Sequence, residues 1–346
     1  MTYKAALIGA GMVARTHLAA CAELSDRLTV TGILSQSGVS AARLAEEAKT
    51  LMDTPICVYE TIDDIMDDDM IDFVIIATPP NIRHALIEPL AKAGKHILLE
   101  KPVGRTAEEA SQIVQICKRA EVELGIVFQH RVRAASQKAR DFVNSGRLGA
   151  LGLVEISVPW WREQSYYDVA GRGSYDRDGG GVLISQAIHT IDLALSLAGP
   201  VKSVTAMATT TKFHDMESED FVVAGLQFTN GAAGSLVAST ASFPGASETI
   251  TLHFERASLT LNAGVLMVTW RDGKHEEFGA NATTGGGADP MAFTHDWHQA
   301  IIENFLDRVA GTAELFASGD DALAAHNFIQ AITRAAATKT EQVLKS

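Results

Sequence analysis

The chain has 346 residues, 47% of them hydrophobic and 21% charged, with a formal net charge of -13. That length exceeds one comfortable core, so two domains are expected, and the acidic balance argues against a nucleic-acid partner, which would need cationic patches to displace counterions from phosphate. Three scattered cysteines, Cys21, Cys57 and Cys117, exclude a disulfide framework or a zinc site, and with no cationic leader and no membrane-length apolar run they predict a cytoplasmic protein.

In chain order, "KAALIG" is a short apolar run ending in glycine, followed by "MVARTHLAACAEL" with helical spacing and "LTVTGIL" as a strand. "SAARLAEEAK" reads as a helix, "ICVY" and "DFVIIATPP" as strands, "IRHALIEPLAKAG" as a helix, "HILLE" as a strand and "TAEEASQIVQICKRA" as a helix. Continuous apolar strands separated by amphipathic helices predict a parallel sheet covered on both faces. The segment "LEKPVG" is then the loop at the carboxyl end of a parallel strand, the edge where open α/β sheets bind ligands. Thr106 and Glu109 form a capping box for the helix behind it.

The first turn, "GAGMVARTH", carries Gly9, Gly11 and Ala14 in a G-x-G-x-x-A pattern between strand and helix. Gly9 permits the tight turn, Gly11 lets backbone approach a pyrophosphate, and Ala14 allows close packing of helix on strand. The helix N-terminus behind them favours an anion, so a dinucleotide site is predicted here. The acidic residue expected at the end of the second strand is replaced by Ser35. This removes an acceptor for a ribose 2′-hydroxyl and a repulsion against a 2′-phosphate, yet Gln36 rather than arginine stands beside it, and Arg43 lies further on. NAD and NADP both stay open.

Beyond residue 130 a basic helix, "SQKARDFVNSG", precedes strand-like segments at hairpin spacing, from "LGLVEISVPWW" to "LMVTWRDG". They predict one largely antiparallel sheet, hence an α/β domain followed by an α+β domain. Helices are expected near 294–310 and 320–337, and "NATTGGGAD" (281–289) as a loop. One further helix, "GGGVLISQAIHTIDLALSLAG", places Ile184, Ile188, Ile191 and Leu195 on an apolar stripe and Ser185, His189, Asp192 and Ser196 on a polar line beside it. Gly179 to Gly181 at its start let backbone come close to another group.

The glycine turn, "ATPPNIRH", the "EKP" at 100–102 and "GGGVLISQAIHTID" occur in an order and spacing that resembles the glucose–fructose oxidoreductase, inositol dehydrogenase and rhizopine-catabolism (Gfo/Idh/MocA) family over nearly the whole chain. The resemblance implies a Rossmann domain over 1–128. It implies, over 129–346, an α+β substrate and oligomerisation domain with a large, mostly antiparallel open sheet, its C-terminal helices packing back on the first domain. It further implies NAD or NADP as cofactor, a carbinol of a sugar, cyclitol or sugar derivative as substrate, and a homodimer or homotetramer. Carried onto matching positions, the cofactor is met by Gly9, Gly11, Met12, Val13, Ser35, Thr78, Pro79, Asn81, His84, Glu100, Lys101 and Gln129. Lys101 matches the family lysine near the reacting hydroxyl, followed by a proline whose peptide bond is often cis in relatives. His189 matches the substrate-facing histidine, but Ser185 stands where relatives commonly carry aspartate, which excludes a carboxylate-assisted relay from that position.

Hydride transfer from an alcohol carbon requires a base for the hydroxyl proton. Lys101 is expected as base or relay with His189 as its partner and Asp192 as an orienting group; which of the first two is the base stays open. The segment 158–178 is expected to rim the substrate pocket. Trp160, Trp161, Tyr166 and Tyr167 offer faces for stacking on a sugar, and Arg162, Asp168, Arg172 and Arg177 offer polar contacts. Gln129, His130 and Arg131 at the last strand's end, and Gln186 on the later helix, complete the substrate candidates. "HDMESED" (214–220) reads as a solvated loop, and His295 and His298 lack further ligands nearby, so no metal is expected. Two other functions keep the same fold: a redox-neutral, NAD-dependent glycoside hydrolase, and a dinucleotide-binding sensor without turnover, against which the presence of both Lys101 and His189 speaks.

Overall fold

The computed structural model of the chain describes residues 2–52, 55–281 and 293–344, so all but Asn281 of the loop expected at 281–289 lies outside them. The chain divides into two compact units. The first is Met1–Gly104, Glu108–Gln129 and Thr294–Ala322; the second is Arg105–Ala107, His130–Phe293 and Leu323–Ser346.

In the first unit, β1 (Tyr3–Ile8), α1 (Ala14–Ala22), β2 (Leu28–Leu34), α2 (Gly38–Ala48), β3 (Cys57–Val58), α3 (Asp63–Met66), β4 (Phe73–Ile76), α4 (Arg83–Lys92), β5 (His96–Glu100), α5 (Ala107–Arg119) and β6 (Leu124–Val127) alternate as the apolar periodicity predicts. Phe73–Ile76 and Leu124–Val127 are buried throughout, as strands covered on both faces must be. The six strands run in the order β3-β2-β1-β4-β5-β6. Every pairing is parallel. The order reverses direction between β1 and β4, which opens a crevice at their carboxyl ends, the place where doubly wound sheets bind dinucleotides. The edge strand β3 is only two residues long and exposed, shorter than "ICVY".

The second unit follows with α6 (Ala134–Asn144), β7 (Leu151–Pro159), α7 (Gln164–Tyr167), α8 (Ile188–Ala198), β8 (Val201–Thr209), β9 (Phe221–Phe228), β10 (Ala233–Ser239), β11 (Thr249–Phe254), β12 (Ala257–Asn262), β13 (Val265–Trp270) and β14 (His275–Gly279). Then come α9 (Asp296–Val309), which belongs to the first unit, α10 (Gly319–Thr338) and β15 (Gln342–Val343). Nine strands form one sheet in the order β14-β13-β12-β11-β7-β10-β9-β8-β15, antiparallel except where β10 lies parallel to β7. Along β9, Val222, Ala224, Leu226 and Phe228 are buried while Val223, Gly225 and Gln227 are exposed, the period of a half-covered strand. The outward face continues through Met207, Val237, Leu153 and Met267, all exposed.

α9 packs on the first sheet for a specific steric reason. Phe305 is fully buried, lies 5.3 Å from Phe73 ring to ring, and sits where a Cβ on Gly125 of β6 would come within 2.7 Å of its ring. The glycine therefore makes room for the helix.

Candidate active site

The glycine turn is built as the pattern requires. Gly9 has φ +113° and donates its N–H to Leu34 O at 2.8 Å, and a Cβ there would lie 2.7 Å from Ala77 O. Only glycine fits. Around Gly11, in contrast, a Cβ would meet nothing closer than 4.0 Å, so the backbone is open on the side where a pyrophosphate would approach. Met12 is exposed, Val13 half-buried, and Ser35 half-buried directly after β2. These residues fit a dinucleotide.

At the end of β5 the Lys101–Pro102 peptide bond is cis. The loop is fastened by a residue absent from the sequence expectations: Arg83, at the start of α4, is 2% exposed. Its Nη1 donates to Glu100 O and Pro102 O, on either side of Lys101, while Nε and Nη2 donate to Thr78 O at 3.0 and 2.6 Å. Burial pulls this guanidinium down to about 10, against the opposing effect of the Glu100 charge. One side chain thus ties the ends of β4 and β5 together. The carbonyl of Thr78 is taken up by this clamp, and neighbouring Asn81 and His84 are exposed and half-buried respectively. A lone arginine inside "ATPPNIRH" carries no signal separating it from a surface cation.

The Glu100 side chain points away from solvent into a histidine pair. Its Oε1 lies 2.9 Å from His17 Nε2, from α1, and 3.5 Å from His298 Nε2, from α9. The two rings meet edge to face at 4.9 Å. Burial by itself would raise this carboxyl, but the hydrogen bonds from His17 and His298 outweigh it and hold Glu100 well below the ordinary carboxylate range. Burial pulls His298 down. His298 was expected to stand without further ligand-type neighbours; here it joins His17 and Glu100 in a group whose ligand-type atoms all lie within 4.8 Å. The histidines come from elements far apart in sequence, and spacing gives no warning of it.

In the second unit, the helix bearing His189 departs from the expected period. Leu183–Ala187 form a π-helical turn before α8 begins at Ile188. The wider turn breaks the 3.6-residue spacing on which a polar line from Ser185 to His189 was drawn. The helix is also buried on nearly all sides, with Ser185 and Ser196 half-buried and His189 and Asp192 buried. The glycines preceding it let backbone approach backbone: a Cβ on Gly179 would lie 2.3 Å from Arg105 O, and one on Gly181 1.8 Å from Glu219 O.

His189 stacks on His130, ring centroids 5.0 Å apart and 27° from parallel. Both oxygens of Asp192, the carboxylate expected to orient a histidine, accept from Arg131, through Nε and Nη2, each at 2.7 Å. The pair is buried. Beside it, Arg133 Nη1 donates to Glu248 Oε1 at 2.6 Å, and His130 Nε2 stands 3.8 Å from the same oxygen. Gln129 is buried where β6 ends.

The 158–178 segment divides between packing and surface. Trp160 is buried; Tyr167 is buried with its hydroxyl 2.7 Å from Thr240 Oγ1; Arg162 is 2% exposed with Nη1 on Trp161 O at 2.8 Å. Trp161 is half-buried between Phe213 and Phe243, and Arg172 lies 4.2 Å over the Tyr166 ring. Gln186 is buried and donates to Tyr166 Oη at 3.3 Å. The expected solvated loop at 214–220 folds inward instead. Asp220 is fully buried, accepting from Thr211 N at 2.7 Å, Thr211 Oγ1 at 2.6 Å and His214 Nδ1 at 2.8 Å. Glu219 accepts from the amides of Gly181 and Leu183, and burial raises its carboxyl. Glu219 thus caps a helix start and Asp220 fastens its own loop, while Asp215 and Glu217 stay exposed, a division that a count of charges cannot show.

Comparison with known proteins bears on both units. Residues 3–128 match the model of an oxidoreductase family with an NAD-binding Rossmann fold, and residues 136–260 match the GFO/IDH/MocA C-terminal domain. The rhizopine catabolism protein MocA of Rhizobium meliloti is 28% identical over 96% of this chain and 94% of its own length. Inositol 2-dehydrogenase of the same species is 27% identical over 99% of each. The crystal structure of the WlbA dehydrogenase from Bordetella pertussis, in complex with NADH and UDP-GlcNAcA, is 26% identical and covers 100% of both chains with a TM-score of 0.83. No helix among the described residues is long and apolar enough to cross a membrane. With a parallel Rossmann sheet that carries the dinucleotide turn, and a nine-stranded sheet after it, the chain belongs to the Gfo/Idh/MocA family of NAD-binding oxidoreductases.

Proposed function

We propose that the protein is a dehydrogenase or reductase acting on a secondary alcohol or ketone of a sugar, cyclitol or sugar derivative, with Lys101 and His189 as its proton-handling groups. The observation that carries this reading is the Lys101 loop: a lysine immediately after β5, on the carboxyl edge of the dinucleotide-binding sheet, with its flanking carbonyls fastened by buried Arg83. Bound nicotinamide supplies a hydride acceptor or donor. Oxidation of a carbinol also releases the hydroxyl proton; Lys101 Nζ accepts it when unprotonated and returns it in the reverse direction. Arg83 keeps the loop backbone in place, and His189, backed by its stack on His130, is the second group able to hold a proton. The substrate class is supported by relatives named for inositol and rhizopine and by the nucleotide-sugar ligand bound to WlbA. The exposed apolar residues of the nine-stranded sheet support a homo-oligomer, and three free cysteines support the cytoplasm.

The test is nicotinamide absorbance during incubation with a panel of sugars, inositols, sugar acids and sugar nucleotides. Turnover should fall by roughly 10²–10⁴-fold in Lys101→Ala, the usual contribution of a positioned acid–base group, while dinucleotide binding persists. Turnover indifferent to the substitution sinks the assignment of Lys101. Cofactor binding without absorbance change for any compound would point to the redox-neutral hydrolase or to the sensor.

A further inference from the structure

We propose that the site prefers NADP(H) to NAD(H), with Arg15 and Arg43 of the cleft beside the glycine turn as the groups that take the 2′-phosphate and the uncharged Ser35–Ser37 stretch after β2 leaving it unopposed. The inference rests on the dinucleotide binding of the reading above and on none of its substrate chemistry. In a Rossmann fold the residue ending the second strand meets the adenosine ribose; a carboxylate there grips the diol and repels a phosphate. Here β2 ends at Leu34 and is followed by Ser35, Gln36 and Ser37, which offer hydroxyl and amide groups and no charge. The diol loses its usual acceptor, and the phosphate loses its usual obstacle.

Positive charge stands on the same side. Between the glycine turn and α2 lies a cleft of about 340 Å³ whose walls include Gly11, Arg15, Ser40, Arg43 and Glu47. Arg15 Nε and Nη2 are 2.7 and 2.8 Å from the two oxygens of Glu47, and Arg43 Nε is 3.9 Å from the same carboxylate. Two guanidinium groups therefore face one carboxylate, which leaves one positive charge in excess. The neighbouring Glu46 adds no negative charge to this account, because Lys49 neutralises it. Both arginine side chains are well exposed, 65% for Arg15 and 70% for Arg43, so each is able to turn onto a phosphate and bind it through two N–H groups. Ser37 caps α2 by accepting the Ser40 N–H at 3.3 Å, which fixes the first turn of an 11-residue helix against the loop and adds the favourable end of its dipole. A neutral ribose diol gains nothing from this excess of charge; a 2′-phosphate gains from all of it.

The experiment measures binding of NADPH and NADH to the purified protein, without substrate, by dihydronicotinamide fluorescence. NADPH should bind at least tenfold more tightly at low salt, with the advantage shrinking as ionic strength rises. Arg15→Ala and Arg43→Ala should each weaken NADPH severalfold and leave NADH within twofold, and Ser35→Asp should move the preference toward NADH. NADH binding as tightly as NADPH, or arginine variants that weaken both cofactors equally, would overturn the proposal. Because both arginines are exposed, their variants keep the test decisive even if Ser35→Asp folds poorly. No outcome of this assay bears on Lys101, so it fails separately from the proposed chemistry.

Discussion

Glu100 in the first unit and Asp192 in the second are both carboxylates removed from water, and they are compensated by different chemistry. Glu100 leans on two histidines, His17 and His298, and burial lowers the proton affinity of His298. Asp192 is held by both arms of Arg131, a cation that stays charged across the physiological range. The difference teaches where each unit is vulnerable. The cluster beneath the Lys101 loop is open to titration, whereas the one on the His189 helix is open only to deletion of a partner.

The largest effect separating the two should come from Asp192→Ala, which takes away the carboxylate that two N–H groups of a buried guanidinium reach. A loss of about 3–5 kcal/mol is expected in denaturant unfolding. The double variant Arg131→Met/Asp192→Leu should recover most of it, and a double variant as damaged as the single one would show that the pair does more than cancel its own charge.

An intermediate effect is expected from acid, and the first cluster should contribute to it through His298 and Glu100. His298 has a depressed affinity for protons in the folded state, so the unfolded chain protonates first and stability is lost as pH falls below the ordinary histidine value of 6.5. Glu100 acts in the same direction: its contribution is full above the ordinary glutamate value of 4.5 and disappears as pH falls through its lower folded value. Melting temperature should therefore decline between pH 6.5 and 5 and fall more steeply below 4.5. His298→Gln should flatten the first part of the decline; an unchanged slope would remove His298 from the explanation.

The smallest effect belongs to an uncharged contact. Tyr167→Phe deletes one buried hydrogen bond to Thr240 and should cost about 1 kcal/mol, with KM unchanged once a substrate is known. A large rise in KM would return Tyr167 to the substrate pocket.

The strand and helix order, the crevice and the loop after β5 were legible because they depend on local pattern, apolar runs of strand length and a glycine turn, whereas the cis bond in that loop was expected only from the family resemblance. What periodicity could not show was partnership. Arg83 looks like any helix-start cation until three backbone carbonyls surround it, and His17 and His298 are 281 positions apart. The π-helical turn misled for another reason. Its residues read as ordinary helix, and the extra residue in the turn altered the phase of the side chains without altering the composition.

The nine-stranded sheet also has a history in time. Strand β7 lies between β10 and β11, and no residue of either exists when Pro159 leaves the ribosome, because β10 begins at Ala233. At roughly 5–20 residues per second, synthesis leaves the strand without those neighbours for about 4–15 s. During that interval both of its edges offer unpaired N–H and C=O groups to any passing chain. The middle of the finished sheet is thus its most exposed part at birth, and slowing translation between residues 160 and 232 should lower the yield of folded protein by lengthening that wait.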